Sequence, residues 1–185
     1  MGHGVFGGML SVLFMQQMRS LVEIAGLWNP ERLAAELDKN LSQLFRSASD
    51  HPITVDGTIG VLDMGRRRLT YTSLKGKGYL LREGQLHKLH TYPFSFGEGL
   101  GASAEEHELE LQPGDRLYFL SDGLANQRYP AQDRPLGTKG VTDLLLSLQS
   151  LPIHQQKDAL LTELHRLCSA GLQNDDVIVV GMEIE

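Results

Sequence analysis

Apolar positions near the start of the chain repeat with a helical period. The stretch from Phe6 to Ile24 is apolar on much of its circumference, which predicts a buried helix. A second helix is predicted to begin at Asn29-Pro30-Glu31. Asparagine is a common helix cap, proline is favoured at the first helical position, and an acid in the first turn interacts favourably with the positive end of the helix dipole. This helix would present one apolar stripe to the core, formed by Leu33, Leu37, Leu41, Leu44 and Phe45.

After the second helix the pattern alternates between apolar and polar positions, as in β-strands with one buried face. Asp63-Met64-Gly65 and Glu83-Gly84 interrupt this alternation with residues that are typical of turns. We therefore predict an antiparallel meander of short strands at Thr54–Leu62, Arg68–Leu74, Gly78–Arg82 and Gln85–His90.

The second half of the chain mixes strands and helices. A loop that contains Gly97, Gly99 and Gly101 leads into further predicted strands, and the last strand follows two helices. This order predicts an α+β fold, and the lack of repeats or linkers in the sequence predicts one domain over residues 1–185. The strands are predicted at His107–Leu111, Leu117–Leu120 and Val177–Val180, the helices at Thr138–Gln149 and Ile153–Ala170, and a tight turn at Pro113-Gly114-Asp115.

The composition is that of an ordinary globular domain and narrows the range of partners. Of the 185 residues, 41% are hydrophobic and 22% are charged, with a net charge of −6. The lysines and arginines are scattered, so neither nucleic acid nor an anionic membrane surface is expected as a partner. The apolar run Val5–Met15 is too short to insert across a bilayer. The single cysteine, Cys168, excludes an internal disulfide, and we expect a cytoplasmic protein.

Acidic residues stand at the ends of two predicted strands. Asp122 follows an apolar strand and precedes Gly123, where the sheet is expected to end. Asp175 and Asp176 stand at the start of the last strand, and adjacent acids repel each other unless a cation is near. Because Mg²⁺ and Mn²⁺ prefer carboxylate oxygens, Asp122 and Asp175 are candidate metal ligands at neighbouring strand ends. Ordinary turn or solvated acids are the alternative interpretation.

A glycine pattern from Gly2 to Gly7 formally matches a dinucleotide-binding loop. Such a loop follows a strand, and the sequence offers none before Gly2, so we reject a dinucleotide site. His3 within this pattern is a weak candidate for a group beside a metal ion, and an uninvolved residue near the chain start is the alternative.

Segments spread along the chain together resemble the SpoIIE-type branch of the protein phosphatase 2C superfamily, and within it the SiaA-like subgroup. They are Gly2-His3-Gly4, the strand meander, Leu111–Gly123 and Asn174–Val180, in this order. The resemblance spans nearly the whole chain. It implies a layered α/β/β/α sandwich that lacks the first strands of the family.

The resemblance implies a metal-dependent hydrolase that acts on phosphoserine or phosphothreonine of a phosphorylated signalling protein, of the anti-sigma-factor-antagonist type. Members of the superfamily use two Mn²⁺ or Mg²⁺ ions to activate a water, so no protein nucleophile is expected. Asp122 and Asp175 would bind one ion. Gly123, Asp176 and Asp56 are weaker site candidates.

The chain departs from the family pattern at its start. In the family an aspartate precedes Gly-His-Gly by a few residues, and another acid lies further upstream. Neither has a counterpart before Gly2. The resemblance therefore implies an N-terminally truncated domain with a doubtful second metal position, whose parent protein could be membrane-tethered through an upstream domain. The alternative is a pseudophosphatase that binds a phosphoprotein without hydrolysis. Missing first strands would also expose a sheet edge, which predicts a homodimer through that edge.

Overall fold

The computed structural model describes residues 4–45, 53–129, 134–168, 173 and 175–185, which form helices and antiparallel sheets. The helices are α1 (Gly4–Arg19), α2 (Pro30–Phe45), α3 (Gly123–Asn126), α4 (Gly137–Ser147) and α5 (Ile153–Cys168). The strands are β1 (Gly57–Asp63), β2 (Arg68–Leu74), β3 (Lys77–Arg82), β4 (Gln85–Lys88), β5 (His107–Glu110), β6 (Arg116–Leu120) and β7 (Val179–Glu183).

The chain divides into two compact units, each described here by itself. The first unit comprises Met1–Gly76 and His90–Leu111, and the second comprises Lys77–Leu89 and Gln112–Glu185. The expectation of one domain over residues 1–185 stays a prediction.

In the first unit, α2 begins and packs as the sequence predicts. The Arg32 N–H donates a hydrogen bond to Asn29 Oδ1 at 2.8 Å, so Asn29 caps the helix. Leu44 departs from the predicted stripe, because its side chain is 50% exposed. The rest of the stripe lies in the core of this unit, where the largest buried side chains are Leu33, Leu37, Leu41, Leu74 and Phe96.

The predicted first helix is present, but it is buried on one side only. α1 continues into a π-helical turn at Ser20–Ile24. Leu10 is buried, whereas Met9, Val12 and Met15 are 64–68% exposed. The prediction of a buried helix is therefore wrong for the side that carries these three residues, because only the opposite side packs on the core.

The strands form two sheets rather than one continuous meander. The order is β1-β2-β5 in the first unit and β4-β3-β6-β7 in the second, and all of these neighbours pair antiparallel. The predicted meander is wrong between β2 and β3, which do not pair. Lys75 has a φ of 49°, and a Cβ on Gly76 would overlap Thr58 Oγ1, so the chain turns sharply after β2. Period-two alternation identifies strands without identifying their partners.

β1 lies at one end of the first unit's sheet and begins at Gly57 rather than Thr54. The residue before it that pairs is Val55, which forms an isolated bridge with Phe96. Within the described residues no strand pairs with the outer side of β1. The homodimer expected through such an edge stays a prediction.

A buried carboxylate on α2 holds the glycine-rich loop of the first unit. Asp38 is 2% exposed, and its Oδ1 accepts hydrogen bonds from the Gly97 N–H at 2.7 Å and the Gly99 N–H at 3.1 Å. Its Oδ2 accepts a hydrogen bond from the Gly101 N–H at 2.8 Å. Gly97 has a φ of 98°, and a Cβ on Gly101 would lie 2.5 Å from Asp38 Cβ. Glycine is required at Gly101 because the backbone there approaches α2 so closely, and at Gly97 because of its positive φ and because a Cβ would overlap Ile53 O.

In the second unit, α4 and α5 supply the side chains that cover one face of the sheet. Val141 and Leu145 of α4 and Leu167 of α5 form a buried cluster with Tyr79 and Tyr118 of the sheet. Both helices were predicted from their apolar periodicity. The last two residues predicted for α5, 169 and 170, lie outside the described residues.

An ion pair between the buried Asp115 and the partly exposed Arg82 stabilises the turn before β6, which the sequence predicts at Pro113-Gly114-Asp115. Asp115 is 2% exposed and accepts hydrogen bonds from Arg82 Nε at 2.9 Å and Arg82 Nη2 at 2.5 Å. The Gln112 N–H donates a third hydrogen bond to Asp115 Oδ2 at 2.8 Å. Burial acts to raise the pKa of Asp115, but these hydrogen bonds and the charge of Arg82 outweigh it, and the pKa is lowered.

Candidate metal site

Asp122 stands at the C-terminal end of β6, at the point where the chain enters the short helix α3. Its backbone is helical, with φ −75° and ψ −17°, and its side chain makes no capping hydrogen bond to α3. The residue is exposed. Its carboxylate therefore extends from the strand end with its oxygens available to solvent or to a cation.

Ser121 joins this strand end to the segment that carries the other two acids. The Ser121 N–H donates to Ile178 O at 3.0 Å, and the Ile178 N–H donates to Ser121 Oγ at 2.9 Å. Ser121 Oγ also donates to Asp176 O at 2.9 Å. A side-chain oxygen thus replaces a backbone acceptor, so the regular β6–β7 ladder begins at Val179. The prediction that the strand begins at Val177 is wrong for this reason.

Gly123 brings the two segments into direct backbone contact. The residue is buried, and a Cβ added to it would overlap Asp176 O. Asp175 is half-buried, and its Oδ1 accepts a hydrogen bond from the Asp176 N–H at 2.8 Å, while Asp176 itself is exposed. Asp122, Asp175 and Asp176 therefore lie at the same end of the β6–β7 pair. The prediction that these strand ends are neighbours agrees with this packing.

The donor chemistry at this strand end fits a partly hydrated hard cation. Mg²⁺ is commonly held by one or two carboxylates and keeps several waters or phosphate oxygens. Asp122 and Asp175 offer such a pair. Among the described residues no group of three or more histidine, cysteine, aspartate or glutamate side chains is arranged to hold a metal ion. A fully protein-coordinated ion is therefore not built from those residues alone.

The remaining candidates from the sequence belong to the first unit. Asp56 is exposed, lies just before β1, and its Oδ1 accepts a hydrogen bond from Ser95 Oγ at 2.6 Å. His3 lies outside the described residues, as does Gly2. Among the described residues, Asp56 does not belong to a cluster of metal-binding side chains.

A pair of histidines that sequence reasoning did not single out lies beside β5 in the first unit. The rings of His107 and His90 have centroids 4.1 Å apart, and Tyr71 and Tyr92 lie against His107 at 5.6 Å and 6.0 Å. His107 Nε2 is buried and has no hydrogen-bond partner among the described residues. Burial, and then the charge of His90, lower the pKa of His107, while Glu105 acts in the opposite direction.

Comparison with known proteins identifies the family of the chain and the fold that it shares. The sequence profile of Stage II sporulation protein E (SpoIIE) matches residues 1–185. The chain belongs to the SpoIIE family. No curated protein sequence gives a match to this SpoIIE domain.

Solved structures similar to this SpoIIE domain share the fold of the PP2C-type phosphatases. The SiaA-PP2C domain of Pseudomonas aeruginosa is 22% identical, with a TM-score of 0.87 over 100% of this chain and 72% of that chain. The PP2C phosphatase domain of SpoIIE from Bacillus subtilis, solved with a regulatory fragment, is 19% identical, with a TM-score of 0.76 over 100% of this chain and 51% of that chain. The RsbU and RsbW domains of a Mycobacterium tuberculosis protein are 20% identical, with a TM-score of 0.74 over 98% of this chain and 49% of that chain.

These comparisons confirm the predicted α+β fold of the PP2C type and the resemblance to SpoIIE-type domains. The SpoIIE domain spans about half of the longer chains that it resembles. In the part of the chain that the structure describes, no helix combines the length and apolarity needed to cross a membrane.

Proposed function

We propose that this SpoIIE domain hydrolyses phosphoserine or phosphothreonine on a bacterial signalling protein of the anti-sigma-factor-antagonist type, with the help of Mn²⁺ or Mg²⁺. The observation that carries the proposal is the packing of Gly123 against Asp176, which sets Asp122 and Asp175 at one end of the β6–β7 pair. The membership in the SpoIIE family supports the reaction class. One similar structure, the SpoIIE phosphatase domain of Bacillus subtilis, is described as Mn presoaked, which supports the choice of metal.

In this proposal Asp122 and Asp175 hold one divalent cation through their carboxylate oxygens. A bound Mn²⁺ or Mg²⁺ supplies an activated water and neutralises charge on the phosphoryl oxygens. Ser121 fixes the distance between the two acidic segments through its hydrogen bonds to Asp176 and Ile178. Asp176 is assigned to the surroundings of the site rather than to the ion.

The proposal assigns ligands to one cation and names only candidate groups for a second. Two-metal phosphatases hold their ions close together and use both to stabilise the displacement. Asp56 and His3 stay weak candidates from the sequence for a role with a second ion. The proposal for the first cation does not depend on either residue.

The test is Mn²⁺-dependent hydrolysis of p-nitrophenyl phosphate and of a phosphothreonine peptide by this chain and two variants. Loss of a direct ligand is expected to cost at least about 100-fold in kcat/KM, since loss of groups that merely support ligands costs about 10–100-fold. Asp122→Asn should show this loss. Asp158→Asn is the matched control, because Asp158 is an exposed acid on α5 and belongs to neither of the two acidic segments.

Binding of Mn²⁺, followed by its electron paramagnetic resonance signal, gives a second readout that does not need turnover. Equal activity in wild type and Asp122→Asn would refute the assignment of that carboxylate. Phosphopeptide binding without hydrolysis at millimolar Mn²⁺ would instead support the pseudophosphatase alternative. In that case the fold and family assignment are unaffected.

A further inference from the structure

An apolar cavity lies between α5 and the β6–β7 part of the sheet in the second unit. Its volume is about 340 Å³, and its walls include Leu160 and Leu164 from the helix and Val179 and Gly181 from the strand. Protein interiors are normally packed without voids of this size. The volume falls instead at the lower end of the range of small-molecule pockets, about 300–1,000 Å³.

The cavity is bounded by helix contacts that are firmly made. At one end, Gln156 Nε2 donates to Leu148 O at 3.0 Å and to Leu151 O at 3.2 Å, and Gln156 Oε1 accepts from Tyr118 Oη at 2.9 Å. At the other end, Leu167 is 2% exposed in the core of the unit. The helix is therefore fixed on both sides of a gap that its own leucines do not fill.

The composition of the walls indicates what the gap would accept. Leu161 also lines it and is 41% exposed, so apolar surface faces water at the opening. Lys157 lies on the same wall, is exposed, and forms no ion pair with any carboxylate of the described residues. An apolar space with one cation at its mouth suits a molecule with an alkyl chain and a single negative charge.

We propose that this cavity binds one medium-chain fatty acid. The alkyl chain would lie among the leucines of α5 and the valines of the sheet, where burial of each methylene group is favourable. The carboxylate would lie at the Lys157 ammonium group at the mouth of the cavity. A single point charge of this kind suits one carboxylate better than a planar or multiply charged head group.

The cavity also touches the segments that carry the candidate metal ligands. Leu124 and Val177 line it, and each follows one of the two segments that meet at Gly123 and Asp176. The next step rests on the proposed function. A ligand that packs on Leu124 and Val177 changes the stability of the contact between the two acidic segments, and so changes the affinity for Mn²⁺. By reciprocity, Mn²⁺ changes the affinity for the ligand by the same factor.

The first experiment measures binding without metal, so that its result is independent of the phosphatase activity. Octanoate, octanol and acetate are titrated into the protein by calorimetry. Octanoate should bind with one molecule per chain, octanol about tenfold more weakly because it lacks the charge, and acetate not at all. Lys157→Gln should bind octanoate and octanol alike. Lys139→Gln is the control, because Lys139 pairs with Asp143 on the exposed face of α4.

Filling the cavity should abolish octanoate binding. A Cβ at Gly181 would lie 3.4 Å from Ile153 Cδ1 and from the Tyr118 ring, so Gly181→Val adds methyl groups there without overlap of the Cβ. Leu164→Phe is a second filling variant, and circular dichroism verifies that each variant folds. The proposal is overturned if octanoate does not bind to the wild type, if either folded filling variant binds octanoate normally, or if Lys139→Gln weakens binding as much as Lys157→Gln does. A change in Mn²⁺ affinity with octanoate is then measured separately.

Discussion

Replacing Asp38 removes the acceptor of three backbone N–H groups in one step. The amides of Gly97 and Gly101 belong to buried residues, whereas Gly99 is exposed and its N–H can turn to water. Each buried amide left without an acceptor costs about 1–3 kcal/mol, so Asp38→Ala is expected to lower the free energy of unfolding by about 2–6 kcal/mol. That is a large share of the roughly 5–15 kcal/mol that stabilises a typical domain.

Asp38→Asn removes the charge and one acceptor oxygen, whereas Asp38→Ala removes both acceptor oxygens. Comparing the two variants separates these effects. Its amide oxygen can still accept from one side of the loop, but its NH₂ group then faces a backbone N–H. We expect a loss of about 1–3 kcal/mol, between those of wild type and Asp38→Ala. Urea unfolding followed by far-UV circular dichroism measures the three free energies.

The control for this series is Glu36→Gln on the same helix. Glu36 pairs with Lys39 at 3.6 Å, and its side chain is 46% exposed, so its removal is expected to change stability by less than about 1 kcal/mol. If Asp38→Asn proves as stable as the wild type, the argument that the carboxylate holds the glycine loop is wrong.

Three further outcomes follow from contacts described above. Asp115→Ala should cost about 1.5–3 kcal/mol in urea unfolding, because the fold loses the charge-assisted hydrogen bonds between Arg82 and this buried carboxylate. Acidification from about pH 7.5 to about pH 5.5 should lower the thermal midpoint. The reason is that burial and His90 lower the pKa of His107 in the folded chain. As the pH falls through the ordinary pKa of histidine, the unfolded chain therefore binds the proton more readily than the folded chain, and stability is lost. His107→Gln should reduce this fall of the thermal midpoint. Gly123→Ala should weaken Mn²⁺ binding and lower the thermal midpoint, because its Cβ would displace Asp176; unchanged values would contradict the close packing of the two segments.

The elements that are determined by local pattern could be predicted from the sequence. The cap of α2 at Asn29 and the limits of β2 at Arg68–Leu74 agree with the structure. The partners of the strands could not be predicted, because alternation of apolar and polar residues is the same whichever neighbour a strand has. The start of β7 was missed because the Ser121 hydroxyl, a single side chain on another strand, takes the place of a backbone acceptor.

The acidic residues also differ in whether a local pattern or a distant contact determines their role. Asp122 and Asp175 could be singled out because they stand next to recognisable apolar strands. Asp38 was not singled out from the sequence, because it is a polar residue outside the predicted apolar stripe of α2. A signal was available, since Ala34 and Asp38 are one helical turn apart on the buried side of that helix, and a glycine-rich loop elsewhere offers free N–H groups. Pairing the two required a contact between positions 59–63 residues apart.

The two compact units are interleaved along the chain, which limits how pieces of it can be exchanged with relatives. The chain passes between the units at residues 76–77, 89–90 and 111–112. A single crossover before residue 111 divides the first unit, and one after residue 77 divides the second, so every single crossover divides at least one of them. Chimaeras that swap a whole unit therefore need all three junctions, and one-point recombination between family members separates side chains that pack together.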